Sequence, residues 1–142
     1  MTVLAFDGKC VAADRQGEVG GLCGRVTKIH RVGDLIAGYI GGAAHGLTLV
    51  EWLKAGHDPA TYPRERDGEA RGVLLVFGRG IIRRYEDFPI PVEIDESIWA
   101  AGSGGDLAMG ALAAGADARR AVEIASRYDA ACGLGIDVLE LP

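Results

Sequence analysis

The sequence predicts an α+β fold in which antiparallel sheets carry helices on their outer faces. Three observations point to it. Apolar strand-like runs come in pairs joined by tight-turn dipeptides. Helical patterns are few and come late or in pairs. The segments run in the order strands, helix, strands, two helices, strand, which segregates the two kinds of element.

The first pair is VLAFD (3–7) and CVAAD (10–14), joined at Asp7-Gly8, a strong hairpin signal. Counting outward from that turn sets Phe6 opposite Lys9 and Thr2 opposite Ala13. A turn at Gly8-Lys9 shifts the register, but Asp14 stays at the Thr2 end of the hairpin either way. A polar, glycine-rich connection follows at 15–25. Residues 27–32 (TKIHRV) alternate like a strand, and 33–42 (GDLIAGYIGG) read as a turn and another strand. Residues 43–56 read as a helix with Leu47, Val50 and Leu53 on one face, Trp52 beside them and Gly56 as the stop.

Residues 57–72, with two prolines and many charges, read as a solvated loop with at most a short helical turn. VLLVFG (73–78) and IIRRYE (81–86) flank Arg79-Gly80 as a second hairpin, and 87–94 is extended. IWAAG (98–102) is a buried strand leading into a small-residue helix at 103–115. Asp117 caps a further helix with Ala121, Ile124 and Ala125 on one side. The final strand, 135–142, is expected to return beside the first.

Composition narrows the function classes. A chain of 142 residues with 49% hydrophobic and 25% charged residues fits one globular domain over 1–142. A net charge of −5 with no basic run argues against a nucleic-acid footprint. No apolar run approaches the ~20 residues that span a membrane, and the start lacks the order of a signal peptide. Cys10, Cys23 and Cys132 are odd in number, far apart and fit no CxxC or zinc spacing, and His30, His45 and His57 share no ligand spacing. A reducing cytoplasm, no metal and no cofactor are therefore expected.

The start of the chain carries the chemistry. If Met1 is removed, Thr2 becomes the amino terminus, and a threonine with a free α-amine can supply both nucleophile and base. That amine has an ordinary pKa of about 7.7–8.0, and a neighbouring lysine ammonium lowers it. Lys28 is the one lysine in an interior-looking strand; once buried it needs a carboxylate, and Asp14 is available. Gly41-Gly42, at a strand end before a helix, can present a backbone N–H to a tetrahedral intermediate.

Four motifs occur in order: MTVLAFDGKCVAADR, VTKI, AGYIGGAAHG and AAGSGGDLA. In that order they resemble the proteasome β-subunit and HslV-like family over nearly the whole chain. The resemblance implies the four-layer αββα sandwich of amino-terminal-nucleophile (Ntn) hydrolases. It implies an amide hydrolase acting on peptide or unfolded protein, a ring-like homo-oligomer and an ATP-dependent unfoldase as partner. It matches Thr2 to the nucleophile, Asp14 and Lys28 to the acid–lysine pair, and Gly41 to the oxyanion glycine. Ser103 matches the serine near the nucleophile's amine, and Asp129 the aspartate of a later Asp-x-x-Ser-Gly pattern. Tyr39 matches a residue lining the pocket for the side chain before the scissile bond, with Gly42 also facing substrate.

Two departures stand out: Cys132 replaces the serine of that pattern, and loop 57–72 replaces a second long helix. No propeptide precedes Thr2, so only Met1 has to leave; a chain that keeps it should be inactive. Simpler roles stand beside several of these assignments. Ser103 also suits a helix cap, Asp129 a helix end, Cys132 a small buried apolar residue, Tyr39 the core and His45 surface or packing. Two other functions compete: a catalytically silent assembly or binding module of the same fold, and a cysteine amidase using Cys10 or Cys23.

Overall fold

The computed structural model describes residues 1–142. β1 (Val3–Phe6) and β2 (Cys10–Asp14) form the centre of one antiparallel sheet. β3 (Gln16–Val19) and β4 (Leu22–Arg25) make a separate two-stranded hairpin. β5 (Ile29–Val32) and β6 (Leu35–Gly41) begin a second sheet, and α1 (Ala43–Lys54) follows. That sheet is completed by β7 (Gly72–Gly78), β8 (Ile81–Tyr85) and β9 (Val92–Glu93). β10 (Trp99–Gly102), α2 (Gly105–Ala113), α3 (Ala118–Tyr128) and β11 (Ile136–Glu140) close the chain.

The first sheet has the order β10-β1-β2-β11 and the second β5-β6-β7-β8-β9, all neighbours antiparallel. The two-residue period of a strand explains how they stack. From β1, Leu4 and Phe6 point inward and meet Ile29, Ile36, Leu75 and Phe77 of the second sheet. Val3 and Ala5 point outward and meet Ala118, Ala121, Val122 and Ala125 of α3. On the far side, Ala37, Tyr39, Leu74 and Val76 pack against Leu49, Val50, Trp52 and Leu53 of α1. The layers are thus two helices, sheet, sheet and one helix, the expected αββα sandwich. Between α1 and β7 the only helical piece is a 3-10 turn at Pro59–Thr61, so the second long helix is missing.

Several expectations need correction. The observed pairs Leu4↔Ala13 and Phe6↔Val11 belong to the Gly8-Lys9 turn and not the Asp7-Gly8 turn. The reason is the Asp7 carboxylate, whose Oδ1 accepts the N–H groups of Lys9 and Cys10 at 2.9 and 2.7 Å. Asp7 therefore stays on the strand side of the turn. The connection 15–25 is the β3–β4 hairpin, turning at Gly20-Gly21. Lys28 lies just ahead of β5 and is still buried.

Leu47 is exposed, and Leu49 takes the buried position on α1. On α3, Val122 is buried where Ile124 was expected, while the Asp117 cap on Arg120 N–H forms as expected. β11 returns beside β2 and not β1; the place next to β1 is taken by β10, whose four residues pair with Val3–Phe6 along their whole length.

Candidate active site

The eight residues singled out in the sequence gather at one end of the seam between the two sheets. The hairpin β1–β2 brings Thr2 and Asp14 to that end, and β10 delivers Ser103 beside them. β6 supplies Tyr39 and Gly41, Lys28 lies just ahead of β5, Gly42 follows β6, and Asp129 comes from the end of α3.

Asp14 is fully buried and its carboxylate is saturated with donors. Oδ1 accepts from Val3 N–H at 3.0 Å and from Lys28 Nζ at 2.9 Å. Oδ2 accepts from Gln16 N–H at 3.2 Å and Gly133 N–H at 3.1 Å. A buried carboxylate is tolerated only with such partners. Lys28 Nζ makes a second bond, donating to the Met1 carbonyl at 2.8 Å. The lysine ammonium therefore sits against the peptide that joins Met1 to Thr2.

Thr2 is also buried, and its N–H donates to Ser103 Oγ at 3.3 Å. Ser103 Oγ lies 3.7 Å from Cys132 Sγ, and that thiol donates to Asp129 Oδ2 at 3.4 Å. Asp129 Oδ1 accepts Ala131 N–H at 2.9 Å. That backbone bond, helped by the Cys132 thiol, holds the Asp129 carboxyl below the usual range. Burial pushes the Cys132 thiol up to about 11, so it stays protonated and acts as a donor. Asp129, Cys132 and Ser103 thus form one chain that ends on the Thr2 nitrogen. Cys132 is the middle member of this chain, with the longer contacts of a sulfur.

Gly41 and Gly42 form the opposite wall. Gly41 has φ +78°, and a Cβ there would collide with the Arg71 carbonyl; a Cβ on Gly42 would collide with that of Ala70. Gly42 N–H donates to Arg71 O at 2.8 Å, while Tyr39 N–H donates to Lys28 O on the other side of the strand. By strand alternation the Gly41 N–H also points to the Lys28 side. Thr2, Gly41, Gly42, Arg71, Arg84 and Ser103 line an open cleft of about 630 Å³. A smaller pocket of about 180 Å³ adjoins it, lined by Thr2, Glu18, Val26, Tyr39 and Ala43 among others. Met1 projects into both and is exposed. Tyr39 is a core residue as well as a pocket wall, and its hydroxyl donates to Thr27 O at 3.2 Å.

Sequence reasoning left His45 between surface and packing; it is buried, at 2% exposure, with both ring nitrogens used. Nδ1 accepts Gly72 N–H at 2.9 Å and Nε2 donates to Pro63 O at 3.0 Å. His45 thereby ties α1 to β7 and to the loop that replaces the missing helix. No signal in the sequence marks this role, because both partners are distant backbone groups. Loop 57–72, read as simply solvated, is also pinned by Trp52 Nε1 on Asp58 O at 2.9 Å and by Tyr62 Oη on Glu86 O.

A four-layer αββα sandwich with a threonine, a buried lysine–carboxylate pair and a glycine wall at the sheet seam defines the class: the fold of Ntn hydrolases. Solved structures agree. Thiobacillus denitrificans BPH in complex with epoxomicin is 26% identical over 100% of both chains, with a TM-score of 0.70. A second structure of Thiobacillus denitrificans BPH is 24% identical over 100% of this chain and 99% of that one, again at 0.70. Eukaryotic HslV from Trypanosoma brucei is 22% identical over 99% of this chain and 98% of that one, at 0.71. No protein-family model and no curated protein matches the sequence. This full-length likeness to BPH and HslV agrees with the resemblance of the motifs to the proteasome β-subunit and HslV-like family.

Proposed function

We propose that the protein is a threonine-type amide hydrolase, a peptidase, whose nucleophile is Thr2 once Met1 has been removed. The observation that carries this reading is the convergence on Thr2 of two separate networks, Lys28–Asp14 and Ser103–Cys132–Asp129. With Met1 gone, the Thr2 amine takes the proton of its own hydroxyl, and the oxygen attacks a substrate carbonyl. The Gly41 N–H stabilises the oxyanion, an ester forms with loss of the amine product, and water then releases the acid. Lys28 loses its bond to the Met1 carbonyl in the process and is left free to face the new amine and hydroxyl. Ser103 keeps its hydrogen bond to the Thr2 nitrogen and holds the amine in place. Tyr39 and Gly42 belong to the surface that meets the substrate.

The reading extends to one domain over residues 1–142, peptide or unfolded-protein substrates, a ring-like homo-oligomer and an ATP-dependent unfoldase, in the cytoplasm. The likeness to HslV is what supports the assembly. No helix is long and apolar enough to cross a membrane. The competing reading is a catalytically silent assembly module. It applies if Met1 is retained, since that residue's peptide bond occupies the Thr2 nitrogen and its carbonyl engages Lys28.

Epoxomicin, the ligand in the Thiobacillus denitrificans structure, is a peptide epoxyketone, a reagent that needs both the hydroxyl and the free amine of a terminal threonine. Intact mass after incubation with it decides between the two. Loss of Met1 with one adduct, abolished in Thr2→Ala, is the expected outcome. Met1 removed with no adduct would favour the silent module.

A further inference from the structure

We infer that Glu18 makes the smaller pocket beside Thr2 selective for a basic substrate side chain. The inference rests on the reading of Thr2 as the nucleophile of an amide hydrolase. Glu18 sits on β3, is exposed, and forms no ion pair or side-chain hydrogen bond within the chain. It lines the pocket of about 180 Å³ that includes Thr2. It also lines the adjoining one of about 250 Å³, with Gln16 and Cys23.

Every other charged side chain on the walls around Thr2 is already matched. Lys28 is committed to Asp14. Arg71 pairs with Glu65 and Asp87, and Arg84 with Glu86. One carboxylate without a counter-ion therefore sets the sign of the field in this concavity. The remaining walls suit the stem of a long cationic side chain. Val19, Val26, Tyr39 and Ala43 are apolar, and lysine and arginine bury their methylenes along such surfaces while the charged head stays wet. The Tyr39 hydroxyl already donates to Thr27 O, so it offers no proton to an acidic side chain. An acidic residue in this pocket would meet Glu18 with nothing to offset the repulsion.

The test uses the Met1-free, full-length protein and fluorogenic peptides that differ only in the residue before the scissile bond: Arg, Leu or Glu. The expected order of kcat/KM is Arg, then Leu, then Glu, carried by KM. In Glu18→Gln the Arg-to-Leu ratio should fall about fivefold, the scale of one exposed charge pair. In Glu18→Lys the order of Arg and Glu should reverse. Raising the ionic strength should shrink the wild-type ratio and leave that of Glu18→Gln unchanged. If the peptides are cleaved and Glu18→Gln keeps the wild-type Arg-to-Leu ratio, the inference is wrong and the nucleophile stands. If no peptide is cleaved and epoxomicin forms no adduct, the nucleophile reading falls and the inference with it.

Discussion

The two outer faces of the sandwich are covered by different means. Over the β10-β1-β2-β11 sheet, α2 and α3 lie side by side and meet the strands through small residues: Ala5 and Ala12 against Ala108, Ala118, Ala121 and Ala125. Over the other sheet there is α1 alone. Its Trp52 stands edge-on to Tyr62 and Tyr85, with ring centroids 5.0 and 5.3 Å away. Two helices can tile a sheet by close approach. One helix cannot, and the gap is filled by aromatic bulk and by a loop drawn down over it. The lesson is that a layer can lose a helix without exposing its sheet, provided large rings and a few backbone anchors take over.

The contrast predicts opposite sensitivities. On the single-helix face, Trp52→Ala should cost the most, about 3–5 kcal/mol by urea unfolding, because it empties the centre of the aromatic cluster. On the two-helix face the damage should come from added volume. Ala121→Leu should cost about 1–3 kcal/mol, since α3 has no room to move off the strands. If the two substitutions proved equally mild, close packing would not distinguish the faces.

An effect of similar size tests the anchors of the loop. His45→Ala leaves the buried Gly72 N–H without an acceptor, at a cost of about 1–3 kcal/mol. Gly72 adjoins Arg71, whose carbonyl holds Gly42. Epoxomicin adduct formation should therefore slow in this variant more than in a Leu47→Ala control on the exposed side of the same helix. Equal rates would confine His45 to stability.

The smallest effect lies on the two-helix face and depends on pH. Burial raises the Asp7 pKa, but the N–H groups of Cys10, Ala118 and Lys9 outweigh it and hold the carboxyl below 3.8. The folded pKa is depressed, so the stability it contributes is present above the unfolded value and is lost as pH falls through the folded one. Asp7→Asn should flatten the acid limb of the urea midpoint below about pH 4. It should leave the slope near neutral pH unchanged.

Much of this was legible beforehand, for physical reasons that differ by element. The meeting of Thr2 with Asp14 followed from hairpin counting, which tolerates either turn. The turn itself did not, because a side-chain carboxylate chose it. The β3–β4 hairpin was illegible because its residues are glycine-rich and half exposed, so no apolar alternation marks it. The helix faces were read two positions off at Leu47 and Ile124, where several apolar residues lie close together and tertiary packing decides which is buried. His45 and Glu18 were invisible for a common reason. What matters in each is a neighbour contributed by a distant part of the chain.

Asp14 has a consequence in time as well as in space. Its four donors come from residues 3, 16, 28 and 133. A chain still emerging from synthesis has the first three and lacks Gly133, which follows α3. Until that segment folds back, the carboxylate has a reason to stay in water and Lys28 has no fixed address. Completion of the charged centre is thus tied to the last stretch of chain to appear. A half-made molecule of the proposed kind would carry its threonine harmlessly, at the one stage when unfolded chain, its own included, lies within reach.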